Sequence, residues 1–213
     1  MTPLRAASLG SLSWLAHGFG TRQDGYWTPE SSTAKLHQVH GTAVIAVNAA
    51  GHFGDGDALI TATPNVWLEI RTADCVPILV ADRRQKVVAA VHAGWRGTAA
   101  GIVTATIERL VSDWGIRPTD LVAGIGPHIS ACCFEVGDDV ACHFAGHITQ
   151  HHPRPHVDLG DANRAQLIAA GLSASQIEML GRCTCCEEPD FFSFRRDKGA
   201  GRMVSSVAIR SEG

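Results

Sequence analysis

The stretch that decides the fold is KVVAAVHAGWRGTAAGIVTATIERLVSDWG, residues 86–115. Its first part, residues 86–91, is apolar and rich in valine, which predicts a buried strand. After a turn containing two glycines, apolar residues recur at three- and four-residue steps over residues 97–114, and Gly115 follows as a typical C-terminal stop. The stretch therefore predicts a strand that leads directly into a long helix.

The same two patterns occur through the rest of the chain. Further strands are predicted at residues 42–47, 66–70, 76–80, 121–125 and 203–209. Two more helices are predicted, one over residues 161–170 and one beginning near residue 136. Because strands and helices do not alternate regularly, the pattern favours an α+β fold with mixed β-sheets. No linker or low-complexity tract interrupts residues 1–213, so we expect a single domain.

Composition limits the classes of partner. Hydrophobic residues make up 45% of the chain and charged residues 18%, with a net charge of -3, so we expect neither a nucleic acid nor a membrane as partner. The apolar runs are too short to span a bilayer. Seven cysteines are an odd number in a chain large enough to form a core without disulfides, which favours a reducing, cytoplasmic location.

Five of these cysteines lie in two short segments. We expect them to be buried structural thiols, because adjacent or i, i+2 cysteines rarely bind one zinc ion. They are Cys132, Cys133, Cys183, Cys185 and Cys186.

Three other side chains suggest a metal site. His40 in LHQVHG, Cys75 in TADCVPILV and His92 in VVAAVHAGWRG each lie at the edge of an apolar run. Two imidazoles and one thiolate are the donors of a catalytic zinc ion that keeps its fourth position open. The three residues are 35 and 17 positions apart, so only the tertiary fold can bring them together. Of the two histidines in LHQVHG, His37 is expected at the surface or behind the ligands.

Other polar residues are candidates for roles around this site. Asp74 is expected to orient a ligand or a bound water. Gly94 and Arg96, at the predicted helix start, are candidates for binding an anion such as phosphate, the alternative being a tight turn with Arg96 in an ion pair. Arg195 is a further candidate substrate contact, although strand alternation predicts that only one of Arg195 and Arg196 faces the site.

The chain resembles the YfiH family, also described as laccase-domain or multicopper polyphenol oxidase proteins. The motifs that carry the resemblance are HGFGTR (17–22), HQVHGT (37–42), GDALIT (56–61), TADCVPILVAD (72–82), VHAGWRG (91–97), GIGPHISACCFEVG (124–137), VDLGDANRAQLIAAGL (157–172) and CTCCEEPDFFSFRRDKGAGRM (183–203). The resemblance implies a layered α/β/β/α fold and a metal site, usually zinc, at His40, Cys75 and His92. One departure is the short connection between Arg22 and His37, where family members carry a glycine-rich stretch and a helix.

The resemblance also implies activity as a purine nucleoside phosphorylase on adenosine, inosine and methylthioadenosine, with some adenosine deaminase activity. The substrates would be a purine nucleoside and phosphate. Editing of peptidoglycan precursors has been linked to similar bacterial proteins.

Three alternatives remain open from the residues. A copper oxidase would use the same donors with Met1, Met179 or Met203 as a long axial ligand, although the chain has no His-X-His pair for a copper cluster. A metal-free hydrolase would use Cys75 as a nucleophile activated by a histidine. A binding module without catalytic activity is the third.

Overall fold

The computed structural model describes residues 2–150, 153–199 and 201–211. The strands are β1 (Leu15–Phe19), β2 (Thr33–His37), β3 (Val44–Ala46), β4 (Gly51–Asp55), β5 (Ala58–Thr61), β6 (Trp67–Thr72), β7 (Val76–Asp82), β8 (Val88–Ala93), β9 (Leu121–Ile125), β10 (Ile148–Gln150), β11 (His156–Val157), β12 (Ile177–Met179) and β13 (Met203–Ile209). The α-helices are α1 (Ala7–Gly10), α2 (Trp95–Ala100), α3 (Ile102–Trp114), α4 (Asp138–Ala141), α5 (Leu159–Ala169) and α6 (Phe194–Asp197).

Two mixed sheets form the centre of the protein. One has five strands in the order β1-β13-β6-β2-β4, and the other has six in the order β12-β9-β7-β8-β5-β3. Both contain parallel and antiparallel pairs; β2 runs parallel to β6, whereas β13 is antiparallel to it. Strands β10 and β11 form a separate small hairpin sheet. The α+β prediction with mixed sheets in a layered arrangement is confirmed.

Two apolar cores hold the layers together. Leu68 and Val207 of the five-stranded sheet belong to the same buried cluster as Leu79 and Ala90 of the six-stranded sheet, so this core lies between the sheets. The second core joins the opposite face of the six-stranded sheet to helices α3 and α5. Strands β7 and β8 are buried at every position, as expected for strands covered on both faces.

The helix predicted over residues 97–114 is divided into two. Helix α2 begins at Trp95, and Gly101 adopts a left-handed conformation, with φ of 85°, between α2 and α3. A residue with a side chain adopts this conformation at a cost, so Gly101 is where the helix can be broken. Two apolar residues of the helices, Val111 in α3 and Ile168 in α5, are 42% and 39% exposed, so the apolar pattern does not identify a buried face at every position.

The predicted helix near residue 136 is only the short α4, followed by a 3-10 turn from Cys142 to His147. Of the described residues, the longest helix is α3, and no helix has the length and apolar character needed to cross a bilayer.

The short connection after Arg22 contains no α-helix in this chain. Instead, Trp27 packs over Gly18 and Gly20 of the β1 segment, where an added Cβ would lie 3.1 Å and 3.3 Å from the indole. The indole N–H donates to the backbone oxygen of Val204 at 3.0 Å, and its ring meets Trp67 edge to face at 5.4 Å. A single aromatic side chain thus covers part of the five-stranded sheet on its outer face.

His17 makes the fold sensitive to acid. It is 1% exposed, its Nε2 accepts the backbone N–H of Ala6, and its Nδ1 has no partner among the described residues. Burial, followed by the charge of Arg5, lowers the pKa of His17 from 6.5 to about 4. The unfolded chain therefore binds a proton at a pH where the folded protein does not, and stability should fall as the pH decreases from about 6.5 to about 4.

We expect this loss to be roughly 2 to 3 kcal/mol for His17 alone. Urea unfolding of wild type and His17→Gln at several pH values measures it, because glutamine keeps an acceptor for Ala6 but does not titrate. A wild-type curve that is parallel to the His17→Gln curve over this range would show that His17 contributes nothing.

Candidate metal centre

Three side chains from different elements converge at one end of the six-stranded sheet. His40 follows β2, Cys75 lies between β6 and β7, and His92 is in β8. Their ligand atoms all lie within 4.8 Å of one another, and the two imidazole rings are 4.8 Å apart. His92 is buried, Cys75 is half-buried and His40 is exposed, so the group opens to solvent on the side of His40. The structure thus brings together the three residues that the sequence analysis selected.

Asp57 holds two of these residues in place. Its carboxylate is fully buried and accepts a hydrogen bond from His92 Nδ1 at 2.7 Å. It also accepts the backbone N–H groups of His40 at 2.9 Å and Gly41 at 2.6 Å. His40 has a left-handed φ of 59°, an uncommon conformation for a residue other than glycine. These bonds to Asp57 stabilise that turn and direct the His40 side chain toward the site.

The same carboxylate sets the protonation of His92. Burial lowers the pKa of His92, but the hydrogen bonds to Asp57 and Cys75 outweigh it and raise the pKa to about 9. Because Asp57 accepts the proton on Nδ1, Nε2 is the nitrogen that can bind an ion. A carboxylate behind a histidine is the usual arrangement behind zinc ligands.

Cys75 is poised to ionise. Burial raises the pKa of its thiol, but hydrogen bonds to His40 and His92 outweigh this and lower the pKa to about 6. The thiolate is the form that binds metals and attacks electrophiles. Near neutral pH these values favour a negatively charged Cys75 sulfur beside a protonated His92.

This donor set fits a zinc ion. Two nitrogens and one sulfur lie within reach of a common centre, the tautomer of His92 is fixed, and the sulfur is acidic. Three protein donors leave one position of a tetrahedral ion open, as catalytic zinc sites do.

Asp57 was not identified from the sequence as a site residue. A signal was present: it is an acidic residue between Gly56 and the strand ALIT, at a position where a buried carboxylate needs several donors. What could not be read from the sequence is that its donors would be the backbone of His40 and the ring of His92.

Asp74 lies behind Cys75 and contacts two distant segments. Its side chain accepts the hydroxyl of Thr184 and the backbone N–H of Arg195, each at 2.6 Å. Its backbone oxygen accepts the N–H of Ile129 at 3.0 Å. Asp74 therefore anchors the loop that carries Cys75, and a direct role in catalysis stays a prediction.

The guanidinium group of Arg195 donates to the backbone oxygens of Cys133 and Glu135, at 3.2 Å and 2.8 Å. It also lies over the ring of Phe134, 5.3 Å from its centre. These contacts give Arg195 a structural role in the loop around Phe134. Substrate binding by Arg195 stays a prediction, as does the alternative in Arg196.

Arg96 lies at the start of α2 and is exposed, with its guanidinium stacked on the Trp95 ring at 4.4 Å. Gly94, which precedes the helix, packs against the candidate ligands: a Cβ built on it would overlap His40 Nδ1 and lie 3.2 Å from Cys75 Sγ. The absence of a side chain at Gly94 is therefore needed for His40 and Cys75 to approach each other. Anion binding at these two residues stays a prediction.

Gly94→Ala should weaken metal binding. Its φ of -71° suits alanine, so the change acts only by pushing His40 away from Cys75. We expect the affinity for zinc to fall by about 10-fold or more, as for other disturbances directly behind a ligand. Competition with a chromophoric chelator measures this. Gly41→Ala is the matched control, because its added Cβ would meet its nearest atom at 3.6 Å, an ordinary contact. Equal affinities in the two variants would contradict the prediction.

A second group of sulfur atoms corrects the cysteine prediction. Cys132, Cys133, Cys183 and Cys186 have their Sγ atoms within 4.8 Å of one another, and only Cys183 is buried. The expectation of buried thiols is confirmed for Cys183 and is wrong for the exposed Cys132 and Cys186, and two features of the group were missed. Two turns, 50 residues apart, bring one pair of cysteines to the other, and CTCC contains a C-X2-C pair, Cys183 and Cys186, with the spacing of zinc ligands. Cys185 is half-buried and lies outside the group.

Known proteins resemble this chain over most of its length. The family model described as multi-copper polyphenol oxidoreductase laccase matches residues 21–210. A purine nucleoside phosphorylase of Deinococcus radiodurans is 44% identical over 187 residues, covering 84% of this chain and 72% of that protein. The purine nucleoside phosphorylase YfiH of Escherichia coli is 36% identical, covering 81% and 72%. A protein named adenosine deaminase, from an unknown prokaryotic organism, is 41% identical over 71% of this chain and 61% of its own length.

Solved structures agree with these sequence matches. YlmD of Geobacillus stearothermophilus superimposes with a TM-score of 0.84 at 30% identity, over 94% of this chain and 93% of its own. YfiH of Bacillus licheniformis gives a TM-score of 0.84 at 27% identity, over 93% and 94%. With a matching family model, relatives above 40% identity and the same fold, the chain belongs to the laccase-like YfiH family.

Proposed function

We propose that this protein is a zinc-dependent purine nucleoside phosphorylase acting on adenosine, inosine and methylthioadenosine. The observation that carries the proposal is the convergence of His40, Cys75 and His92 around one point, with Asp57 behind them. The names of the relatives supply the substrate class. The partners would be a purine nucleoside and phosphate. The site residues would be those selected from the sequence, namely His40, Cys75, His92, Asp74, Gly94, Arg96 and Arg195.

The residues of the metal centre would have separate roles. His40, Cys75 and His92 would hold the ion, and Asp57 would accept the Nδ1 proton of His92, so that Nε2 is the nitrogen that faces the ion, and would keep the His40 turn in place. A zinc ion bound there supplies a Lewis acid. Asp74 would hold the Cys75 loop through Thr184 and the backbone of Arg195.

In phosphorolysis, a phosphate oxygen forms a bond to ribose C1′ while the bond from C1′ to the purine nitrogen breaks. The bonding electrons leave with the purine, which then takes up a proton. The dianionic phosphate needs positive charge near the site, and Arg96 at the start of α2, 4.4 Å over Trp95, is the candidate to provide it. The exposed side of His40 is the direction from which nucleoside and phosphate would enter.

A phosphate-dependence assay tests the proposal. Zinc-loaded protein is given inosine with and without phosphate, and hypoxanthine is measured. We expect hypoxanthine to form only when phosphate is present and to be accompanied by an equal amount of ribose 1-phosphate. No consumption of inosine, adenosine or methylthioadenosine, or consumption at the same rate without phosphate, would overturn the proposal.

Adenosine deamination is the second candidate, supported by the name of one relative. Here water adds at C6 of the purine and ammonia leaves, so no phosphate is consumed. Release of ammonia and inosine from adenosine without phosphate separates this activity from phosphorolysis in the same assay.

A thiol hydrolase is supported by the low pKa of Cys75, about 6, beside two histidines. Such an enzyme, including one that edits peptidoglycan precursors, would keep its activity in EDTA and lose it with iodoacetamide. The zinc enzyme proposed here would lose activity in EDTA and recover it when zinc is returned.

Copper oxidase chemistry has weaker support, although copper is the alternative metal and the family description names it. The sulfur of Met203 accepts the backbone N–H of Phe192 at 3.1 Å, and Met179 packs against the helix-side core. Met1 lies outside the described residues. An intense blue absorption band in copper-loaded protein would favour this alternative.

A further inference from the structure

Four sulfur atoms converge at two turns of the chain. Cys132 Sγ lies 3.7 Å from Cys133 Sγ, 3.7 Å from Cys183 Sγ and 3.5 Å from Cys186 Sγ. Cys133 Sγ lies 3.2 Å from Cys186 Sγ. A disulfide requires about 2.05 Å between its sulfurs, so none of these four distances is a covalent bond.

The distances suit a tetrahedral ion. With a zinc to sulfur bond of about 2.3 Å, the sulfurs of a four-thiolate site are separated by about 3.8 Å. The four separations in the structure, 3.2 to 3.7 Å, are slightly shorter than this. A small outward movement of the exposed Cys132 and Cys186 would reach the required distances.

The turns also supply donors that stabilise a thiolate. The backbone N–H of Ser130 points at Cys183 Sγ at 3.4 Å. The backbone N–H groups of Cys185 and Cys186 are further hydrogen-bond donors to the same sulfur. N–H donors from the residues within a C-X2-C turn to its first sulfur favour the negatively charged form that binds a metal.

Two arginines place positive charge beside the four sulfurs. Arg195 donates to the backbone oxygen of Cys133, and Arg196 donates to those of Thr184 and Cys185, each at 3.0 Å. Arg196 is also paired with Asp197 at 2.8 Å, so Arg195 is the one of these two cations that would offset part of the net charge of about -2 on four thiolates around a divalent ion.

We propose that Cys132, Cys133, Cys183 and Cys186 bind a second zinc ion, with a structural role. Binding releases the remaining thiol protons to solvent, and with four protein ligands the ion has no open position for a substrate. The ion would join the turn before Phe134 to the turn that carries Thr184.

This second site would support the first one through Asp74. Thr184 lies between Cys183 and Cys185, is fully buried, and donates its hydroxyl to Asp74, the neighbour of Cys75. Ile129, three residues before Cys132, donates its N–H to the backbone of the same Asp74. Both turns that would bind the second ion thus contact the residue that positions the Cys75 loop.

Zinc content in a set of four proteins tests the inference. Each protein is reconstituted with zinc under reducing conditions, desalted and analysed by mass spectrometry for metal per chain. We expect two zinc ions in wild type, one in Cys132→Ser/Cys186→Ser, one in His40→Ala/His92→Ala and two in Cys142→Ser. Cys142 is the matched control because it is an exposed cysteine outside both groups. Zinc content is measured without an activity assay. A result against the second site therefore leaves the proposed function unaffected, and a result against the proposed function leaves the second site unaffected.

Cobalt substitution gives an independent signal. Co²⁺ bound by four thiolates has intense charge-transfer bands, and they should persist in His40→Ala/His92→Ala. If the double cysteine variant does not fold, Cys132→Ser alone should still lose most of this signal. The inference is overturned if wild type binds one zinc ion that only the histidine variant loses. A count of free thiols gives a second possible contradiction. Wild type is kept under reductant and then denatured, and the inference is overturned if it has two free thiols fewer than its seven cysteines.

Discussion

Cys75→Ser is expected to lose the metal of the first centre and nearly all nucleoside turnover. A serine hydroxyl is not ionised near neutral pH and is a poor zinc donor, whereas the Cys75 thiol has a pKa of about 6. Disturbing groups behind a zinc ligand costs about 10 to 100-fold in affinity or activity, so removing a ligand should cost more than about 100-fold. Metal content and hypoxanthine release, measured on the same preparation, check this result.

Cys75→Asp separates the zinc mechanism from the thiol mechanism. An aspartate can bind zinc but cannot act as a thiol nucleophile. Zinc chemistry predicts that this variant regains part of the metal and part of the activity lost in Cys75→Ser. Full metal occupancy with no activity would instead support catalysis by the Cys75 sulfur. Cys142→Ser serves as the control for general effects of replacing a cysteine.

Asp57→Asn should produce the second largest effect. The carboxylate is fully buried, accepts bonds from His92 and from the backbone of His40 and Gly41, and raises the pKa of His92. The amide removes the charge and places an N–H₂ group against donors. We expect zinc affinity to fall by about 10 to 100-fold. Losing one member of a buried ion pair also costs about 3 to 5 kcal/mol of stability when the other member stays charged.

Asp55→Asn is the matched control for this change. Asp55 lies two residues away and also contacts a histidine, His37, at 2.8 Å, but both side chains are more than two-thirds exposed. Chelator competition and urea unfolding should therefore show little change in Asp55→Asn. If Asp57→Asn and Asp55→Asn change zinc affinity and stability equally, the burial and hydrogen bonds of Asp57 are not the cause of its effect.

The exposed pair of His37 and Asp55 also shows why His40, and not His37, reaches the site. Strand β2 ends at His37, and the chain then turns through the left-handed His40 onto Asp57. From the sequence, His40 was selected as a ligand and His37 was expected at the surface or behind the ligands. The selection agrees with the structure, but the physical reason is the turn held by Asp57.

The sequence by itself determined several of the buried strands and the chemistry of the ligands. Strands β9 and β13 occupy the predicted residues 121–125 and 203–209, because runs of apolar and β-branched residues have few other ways to bury their side chains. Strands β1, β2 and β4 were not predicted, because they contain glycine, histidine and lysine and lie in a sheet with a less apolar outer face. His40, Cys75 and His92 could be selected because their donor atoms are intrinsic to the residue types.

Only the tertiary structure decided what those donors do together. Strand pairing sets Cys75 beside His92, the Asp57 carboxylate joins His92 to the His40 turn, and Gly94 leaves room for the contact. The four-cysteine group likewise depends on two turns meeting across 50 residues of chain. Local periodicity reports which face of an element is buried, whereas the meeting of distant side chains depends on how the layers pack, and no short pattern in the sequence carries that information.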